Sequence, residues 1–550
     1  MPDRRQVLSA LLAAAAASAL STSAYAGTPA APPPDDVFLN RLTFGATPTD
    51  RAQLAKLGRV GWLDGQLALT ANPALDRRLA DLRLRIAYDA GDEGMLGGWP
   101  PTDERRPLTA LSADPATLVP LIDWSRAQAW PERVRPADEV IAASLVRAVH
   151  TRAQLREVMT QFWHDHFNVH AHKNEFVAVT FPAYDKTLRA NALGNFRTLL
   201  GAVAHSPAML YYLDNHESRA SPANENFARE LLELHTLGAE NYLAGHYSEW
   251  SDVPRSADGT AAGYLDDDVW EVARAFTGWS VGDGRWLAEG TEAPRTLAFH
   301  YVDAWHDPYQ KRILAREFPD HAAPLADGEA VLDLLARHPG TARHLCRKIA
   351  TRLLADAPPA DLVDRLTAVW LAHLDAPDQI AQVVRALALD PAFDAPPSKM
   401  RRPFEFLSAL YRGTGTQVMA QENDWHWHLA RAGWQQHTLP PPNGPSDMTA
   451  NWATGNTLRR LTDIALAAHE DWFSTASARP DVPRGITRVG PAIAHWTTAL
   501  HGRPDDRLPE FLSAASLSPA DPLPTAPEDR AGLISLMIAF AALSPQFMFR

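Results

Sequence analysis

The sequence predicts an all-α protein: one large multi-helix globular domain with long Pro/Gly-rich loops and at most a minor β-hairpin. Three observations carry that expectation. Alanine and leucine dominate over valine and isoleucine, which favours helix over strand. Apolar residues recur at the 3.6-residue period in segment after segment, often behind a capping residue. No series of segments alternates apolar and polar residues as half-buried strands would, and no internal repeat is visible.

Taken in order, residues 1–26 have the parts of a signal peptide. Arg4 and Arg5 form its charged start and 7–20 its Ala/Leu core; Ala24-Tyr25-Ala26 meets the small-x-small cleavage rule. The paired arginines before Gln6-Val7-Leu8 resemble a twin-arginine export signal, although Val7 stands where Phe is usual and an ordinary secretory signal fits as well. A periplasmic or secreted protein follows from either. A Pro/Ala linker, 27–35, leads into the mature domain, 36–550, with boundaries at 215/216 and 412/413 as candidate subdomain limits.

Helices are expected over 37–69, 72–87, 137–149, 154–170, 195–206, 224–238 and 266–278. They resume over 327–338, 342–354, 361–374, 379–389, 457–469 and 530–543. Residues 91–107 read as a surface loop and 282–306 as the place for a short hairpin. The apolar run 533–543 is too short to cross a membrane and is stopped by Ser544-Pro545, so it reads as a core helix. A net charge of −13 with no concentrated basic stripe excludes a nucleic-acid groove. The single cysteine, Cys346, rules out an internal disulfide and a cysteine zinc site, and reads as a buried apolar side chain. Phosphate loops, dinucleotide fingerprints and nucleophile elbows do not stand out.

Three polar clusters remain. In Gln161-Phe162-Trp163-His164-Asp165-His166-Phe167-Asn168-Val169-His170-Ala171-His172, a continuous helix puts His166 and His170 four residues apart on the apolar face. That spacing suits two imidazoles on one divalent metal ion, or two core histidines with hydrogen-bond partners; His164, Asn168 and His172 then face solvent. In Asn224–Gly238, the side chains of Glu225, Arg229, Glu230 and Glu233 fall on one polar arc of about 140°. Such an arc is either an exposed face laced by Arg–Glu pairs or a cleft wall supplying a general base or metal ligand. The third cluster, His306-Asp307-Pro308 with Lys311, sets an imidazole, a carboxylate and an amine beside aromatic rings, as an anion or sugar site would.

Several of these segments recur together in one arrangement: Phe38-Leu39-Asn40-Arg41-Leu42-Thr43-Phe44-Gly45, Trp62-Leu63-Asp64-Gly65-Gln66, Phe162-Trp163-His164-Asp165-His166-Phe167 and the whole 224–238 segment. Asp268…Arg274-Ala275-Phe276-Thr277-Gly278-Trp279, His306-Asp307…Lys311, His338-Pro339-Gly340-Thr341-Ala342-Arg343 and Leu543-Ser544-Pro545-Gln546-Phe547 complete it. From about residue 36 to 550 the chain resembles the bacterial family catalogued as domain of unknown function 1800. The resemblance implies export, and an exported partner of the family catalogued as domain of unknown function 1501, itself similar to sulfatases and phosphatases. It places His166, Glu225, Arg229, Glu230, Glu233, Thr277, Trp279, His306, Asp307 and Lys311 on motif positions, but not His170 or His235. It also sets Pro442-Asn443-Gly444-Pro445-Ser446 where a Gly-Trp or Gly-Tyr turn is usual. Together these readings predict one polar cleft built from His166, the 224–233 face and His306–Lys311. An acid–base or metal-assisted enzyme acting on an envelope substrate such as a glycan would use it. The alternative is a non-catalytic scaffold for the exported partner.

Overall fold

The computed structural model describes residues 32–69, 72–92, 97–288, 290–419, 421–422, 424–467 and 480–550. The expected leader, 1–26, lies outside them. The described chain is mostly helical, and its strands form four separate two-stranded antiparallel hairpins. One hydrophobic core runs without a break from Phe38 to Met548, across both candidate subdomain limits.

Breaker residues set the element ends. The 37–69 expectation resolves into helices Pro34–Leu42 and Pro48–Ala68, because Thr47 caps the second with Pro48 at its first turn. The 72–87 helix stops early, at Asp81. Arg83–Tyr88 is instead a strand whose register with Thr102–Pro107 runs from Arg83↔Pro107 to Tyr88↔Thr102. Residues 91–107 are therefore in part the return strand of a hairpin. Its alternation is carried by Leu84 and Ile86 alone, too few positions to outweigh helix propensity. The hairpin expected within 282–306 pairs Trp279–Asp283 with Arg295–Tyr301. The helix Pro527–Ala542 buries most of 534–542, and no described helix is long and apolar enough to cross a membrane.

At the centre lies the Gln154–His166 helix, packed among the helices Pro48–Ala68, Trp130–His150 and Glu175–Asn191. Leu155, Met159, Phe162 and Trp163 are all buried, and so is every polar residue of its last two turns. The Glu175–Asn191 helix carries Pro182 and is buried on nearly all sides, so it shows no amphipathic period in the sequence. This crowding corrects the expected solvent face: His164 and Asn168 are buried, while His172 is half-buried with Nε2 3.1 Å from Asp138.

Candidate functional site

A helix buried all round must find partners for its polar side chains, because an unpaired buried polar group costs about 1–3 kcal/mol. His164 meets this through Nε2, 3.0 Å from Asp185. Asp165 accepts from Gln161 Nε2 at 2.7 Å, from Arg352 Nη2 at 2.6 Å and from Arg402 Nη1 at 2.8 Å. The network continues: Arg352 Nε reaches Asp447 at 2.6 Å, Arg402 pairs with Glu405 at 2.9 Å, and Arg550 reaches Glu405 at 3.0 Å. The surrounding arginines hold the Glu405 carboxyl well below the usual range despite its burial.

His166 differs. Its Nε2 sits 3.2 Å from the carbonyl oxygen of His235, which can only accept, so Nε2 carries the proton. Nδ1 is therefore a lone-pair nitrogen, and it has no hydrogen-bond partner. Burial first, then the charge of Lys348, keeps the ring neutral, with its pKa well below the ordinary value. The helix ends at His166, Phe167 having φ −100° and ψ 54°, so the helical i, i+4 relation to His170 does not exist. Burial lowers His170 to about 4, and its Nδ1 is likewise unpartnered. Among the described residues no group of three or more His, Cys, Asp or Glu is arranged to hold a metal ion.

His166 opens onto a cavity of about 250 Å³. Its other walls include Asp165, Glu240, His344, Lys348, Arg352 and Asp447. The helix Pro339–Leu353 supplies His344, Arg347, Lys348, Thr351 and Arg352, spaced so that they share one face. Glu240 accepts from His344 Nδ1 at 3.1 Å and Arg347 Nη1 at 3.0 Å; these partners pull its carboxyl down to about 2 against the effect of burial. The ammonium of Lys348 has no hydrogen bond or salt bridge to any described residue. Burial pushes it down to about 8. Here a cation stands in a cavity without its own counter-ion.

The Asn224–Gly238 segment serves this cavity through its end. Glu225–Glu230 is α-helical, and the chain then widens into a π turn, Leu231–His235, whose last carbonyl receives His166. Gly238 has φ +86°, and a Cβ there would stand 2.3 Å from His344 Nδ1 and 2.4 Å from Glu240 Oε2. The polar arc itself lies elsewhere. Arg229 makes partly exposed pairs with Glu225 at 3.5 Å and Asp266 at 3.7 Å. Glu230 is half-buried, and burial with Glu233 raises its pKa; Glu233 is also half-buried.

His306, Asp307 and Lys311 form a separate knot. Lys311 Nζ donates to Asp327 at 2.6 Å and to the carbonyls of Asp307 and Tyr309 at 2.6 and 2.8 Å. His306 Nδ1 lies 3.0 Å from the Thr277 carbonyl and Nε2 3.3 Å from Asp327. Asp307 receives two hydrogen bonds from Arg274, at 2.8 and 3.0 Å. This knot ties the loop after Tyr301 to the helices Asp266–Ala275 and Ala326–Arg337. The structure thus distributes the three sequence clusters over three places, and only His166 lines the 250 Å³ cavity.

The family model described as "Protein of unknown function (DUF1800)" matches residues 37–549. The chain belongs to that family. No curated protein and no solved structure matches it. In this DUF1800 chain the cavity residues that sequence reading passed over are Glu240, His344, Lys348, Arg352 and Asp447. The signal for three of them was present: residues 344, 348 and 352 recur every four positions in a segment read only for Cys346. Cys346 points the other way, fully buried, with its thiol raised by burial. Asp447 sits in a loop with no period, and nothing local marks it.

Proposed function

We propose that this DUF1800 protein is exported and binds an anionic group of an envelope substrate in the His166–Lys348 cavity, where it performs acid–base chemistry. The observation that carries the reading is the unpaired Lys348 ammonium beside the open Nδ1 of a neutral His166. Lys348 supplies a positive charge and, with a pKa near 8, a proton that exchanges close to neutral pH. His166 supplies a fixed acceptor, its tautomer set by the His235 carbonyl. Calorimetric titration with inorganic phosphate and sulfate tests this. Saturable binding should be lost at least tenfold in Lys348→Met while the circular dichroism spectrum is unchanged; equal binding by the variant rejects the site.

Export rests on residues 1–26. Replacing Arg4 and Arg5 by lysine retains a twin-arginine cargo in the cytoplasm but leaves a secretory cargo in the periplasm, as cell fractionation will show. The alternative is a non-catalytic scaffold for the exported partner of the family catalogued as domain of unknown function 1501. The fully paired Asp165–Arg352–Arg402–Glu405 network favours it, since charges so engaged specify a fold rather than a reaction. Stoichiometric partner capture that survives Lys348→Met, with no anion binding, decides for the scaffold.

A further inference from the structure

The wall of the Lys348 cavity has a second side. The segment 439–446 is clamped in place: Asn168 Nδ2 donates to the Leu439 and Pro441 carbonyls at 2.9 and 2.7 Å, and Tyr212 Oη donates to the Pro440 carbonyl at 2.6 Å. Trp452 Nε1 holds the Ser446 carbonyl at 2.8 Å. At Gly444, whose φ is positive, a Cβ would stand 2.0 Å from the backbone oxygen of Asp165, so the partition is pressed directly onto the Gln154–His166 helix. Behind it lies another cavity, of about 410 Å³, and Asn443, Pro445 and Ser446 line both.

The chemistry of the two cavities is opposite. The first is lined by ionised groups; no residue lining the second is ionisable. The second presents the amides of Gln435, Asn443 and Asn451 with hydroxyls from Ser446, Thr454 and Thr457, beside Trp452. The Gln435, Asn443 and Asn451 amides have no hydrogen-bond partner among the described residues, so each offers a donor and an acceptor to a ligand. Neutral paired donors and acceptors suit vicinal hydroxyls, which are themselves both. A peptide or lipid would call instead for an exposed sheet edge or a large apolar surface.

We infer that the two cavities are adjoining subsites for an acidic glycan, with a neutral sugar ring against Gln435, Asn443 and Asn451 and the anionic substituent of its neighbour beside Lys348. The inference rests on the anion-binding reading of the Lys348 cavity and adds the substrate class. The test is calorimetry on the whole protein with three probes: an oligogalacturonate, inorganic phosphate and polyglutamate. A Gln435→Ala/Asn451→Ala double variant accompanies the wild type; both side chains lie outside the core, and the melting temperature checks its fold.

Oligogalacturonate is expected to bind at least tenfold more tightly than phosphate. The double variant should remove that gain while leaving phosphate binding as it was. Oligogalacturonate no tighter than phosphate, polyglutamate as tight as oligogalacturonate, or a gain that survives the double variant each overturns the glycan subsite and leaves the anion site standing. Oligogalacturonate binding that depends on Gln435 and Asn451 but not on Lys348 sustains the sugar subsite and removes the anion site instead. No binding of any probe removes both.

Discussion

The knot around Lys311 and the cavity around Lys348 use the same side-chain types and treat their charges in opposite ways. In the knot, the Lys311 side chain is 0 % exposed and its ammonium has three oxygens within hydrogen-bond distance. In the cavity, the Lys348 ammonium has no partner, and the nearby acids Asp165, Asp447 and Glu240 are engaged by Arg352, Arg402, His344 and Arg347. A buried ion that is fully satisfied leaves no valence for a ligand, and removing one member strands the others. An ion left unsatisfied costs the folded state free energy, which a bound counter-ion can relieve. What distinguishes the two regions is therefore whether the charge is closed, since both are charged.

The largest effect expected from this contrast is at Arg402, which bridges Asp165, Glu405 and Asp447 with its side chain 3 % exposed. Arg402→Ala should cost about 3–5 kcal/mol in urea unfolding at neutral pH. A loss below about 1 kcal/mol would mean that water replaces the guanidinium and that the network is not closed. Next comes Lys311→Met, which leaves Asp327 with His306 alone; a loss of about 2–3 kcal/mol is expected. Phosphate affinity should not change in the protein that remains folded. A tenfold change in that affinity would join the knot to the site and break the comparison.

Much of this was legible in the sequence, in proportion to how local the cause is. The Thr47–Pro48 cap, the apolar period of 379–388 and the core run before Ser544-Pro545 are short-range features, and they place helices well. The importance of the 161–166 segment was legible too, because so many polar residues in an apolar helix demand partners. Who those partners are was not. Asp165 meets Arg352 and Arg402 across 187 and 237 residues, and no period records such a distance. The reading of His170 failed for a local reason instead, since the chain leaves the helix at Phe167 without a glycine or proline to announce it. Lys348 was one of a regular stripe and could have been found; that it alone has no counter-ion is a fact of the assembled fold.

Lys348→Met sharpens the contrast through pH. The Lys348 pKa is lowered from 10.5 to about 8 on folding, so between those values the unfolded chain binds more protons than the folded one. Stability contributed by this group then rises with pH across that window, the reverse of a lysine closed by a carboxylate. Below pH 8 the folded state carries the full penalty, and the methionine variant should be as stable as the parent or slightly more so. Across the rest of the window, up to the unfolded pKa, the parent should gain on the variant by about 2 kcal/mol. A flat difference would show that the ammonium is already solvated or paired.

The smallest effect is expected at Arg229, where the comparison meets the surface. Its side chain is 42 % exposed and its guanidinium stands 3.5 Å from Glu225 and 3.7 Å from Asp266. At such distances and exposure, solvent screens most of the attraction. Arg229→Ala should change stability by less than about 0.5 kcal/mol and leave phosphate affinity as it was. The arc from Glu225 to Glu233 would then act only through the π turn that follows it, by delivering the His235 carbonyl to His166. A tenfold loss of affinity would say the opposite: that the arc's charge is felt inside the cavity, and that a paired surface and an unpaired interior are one site.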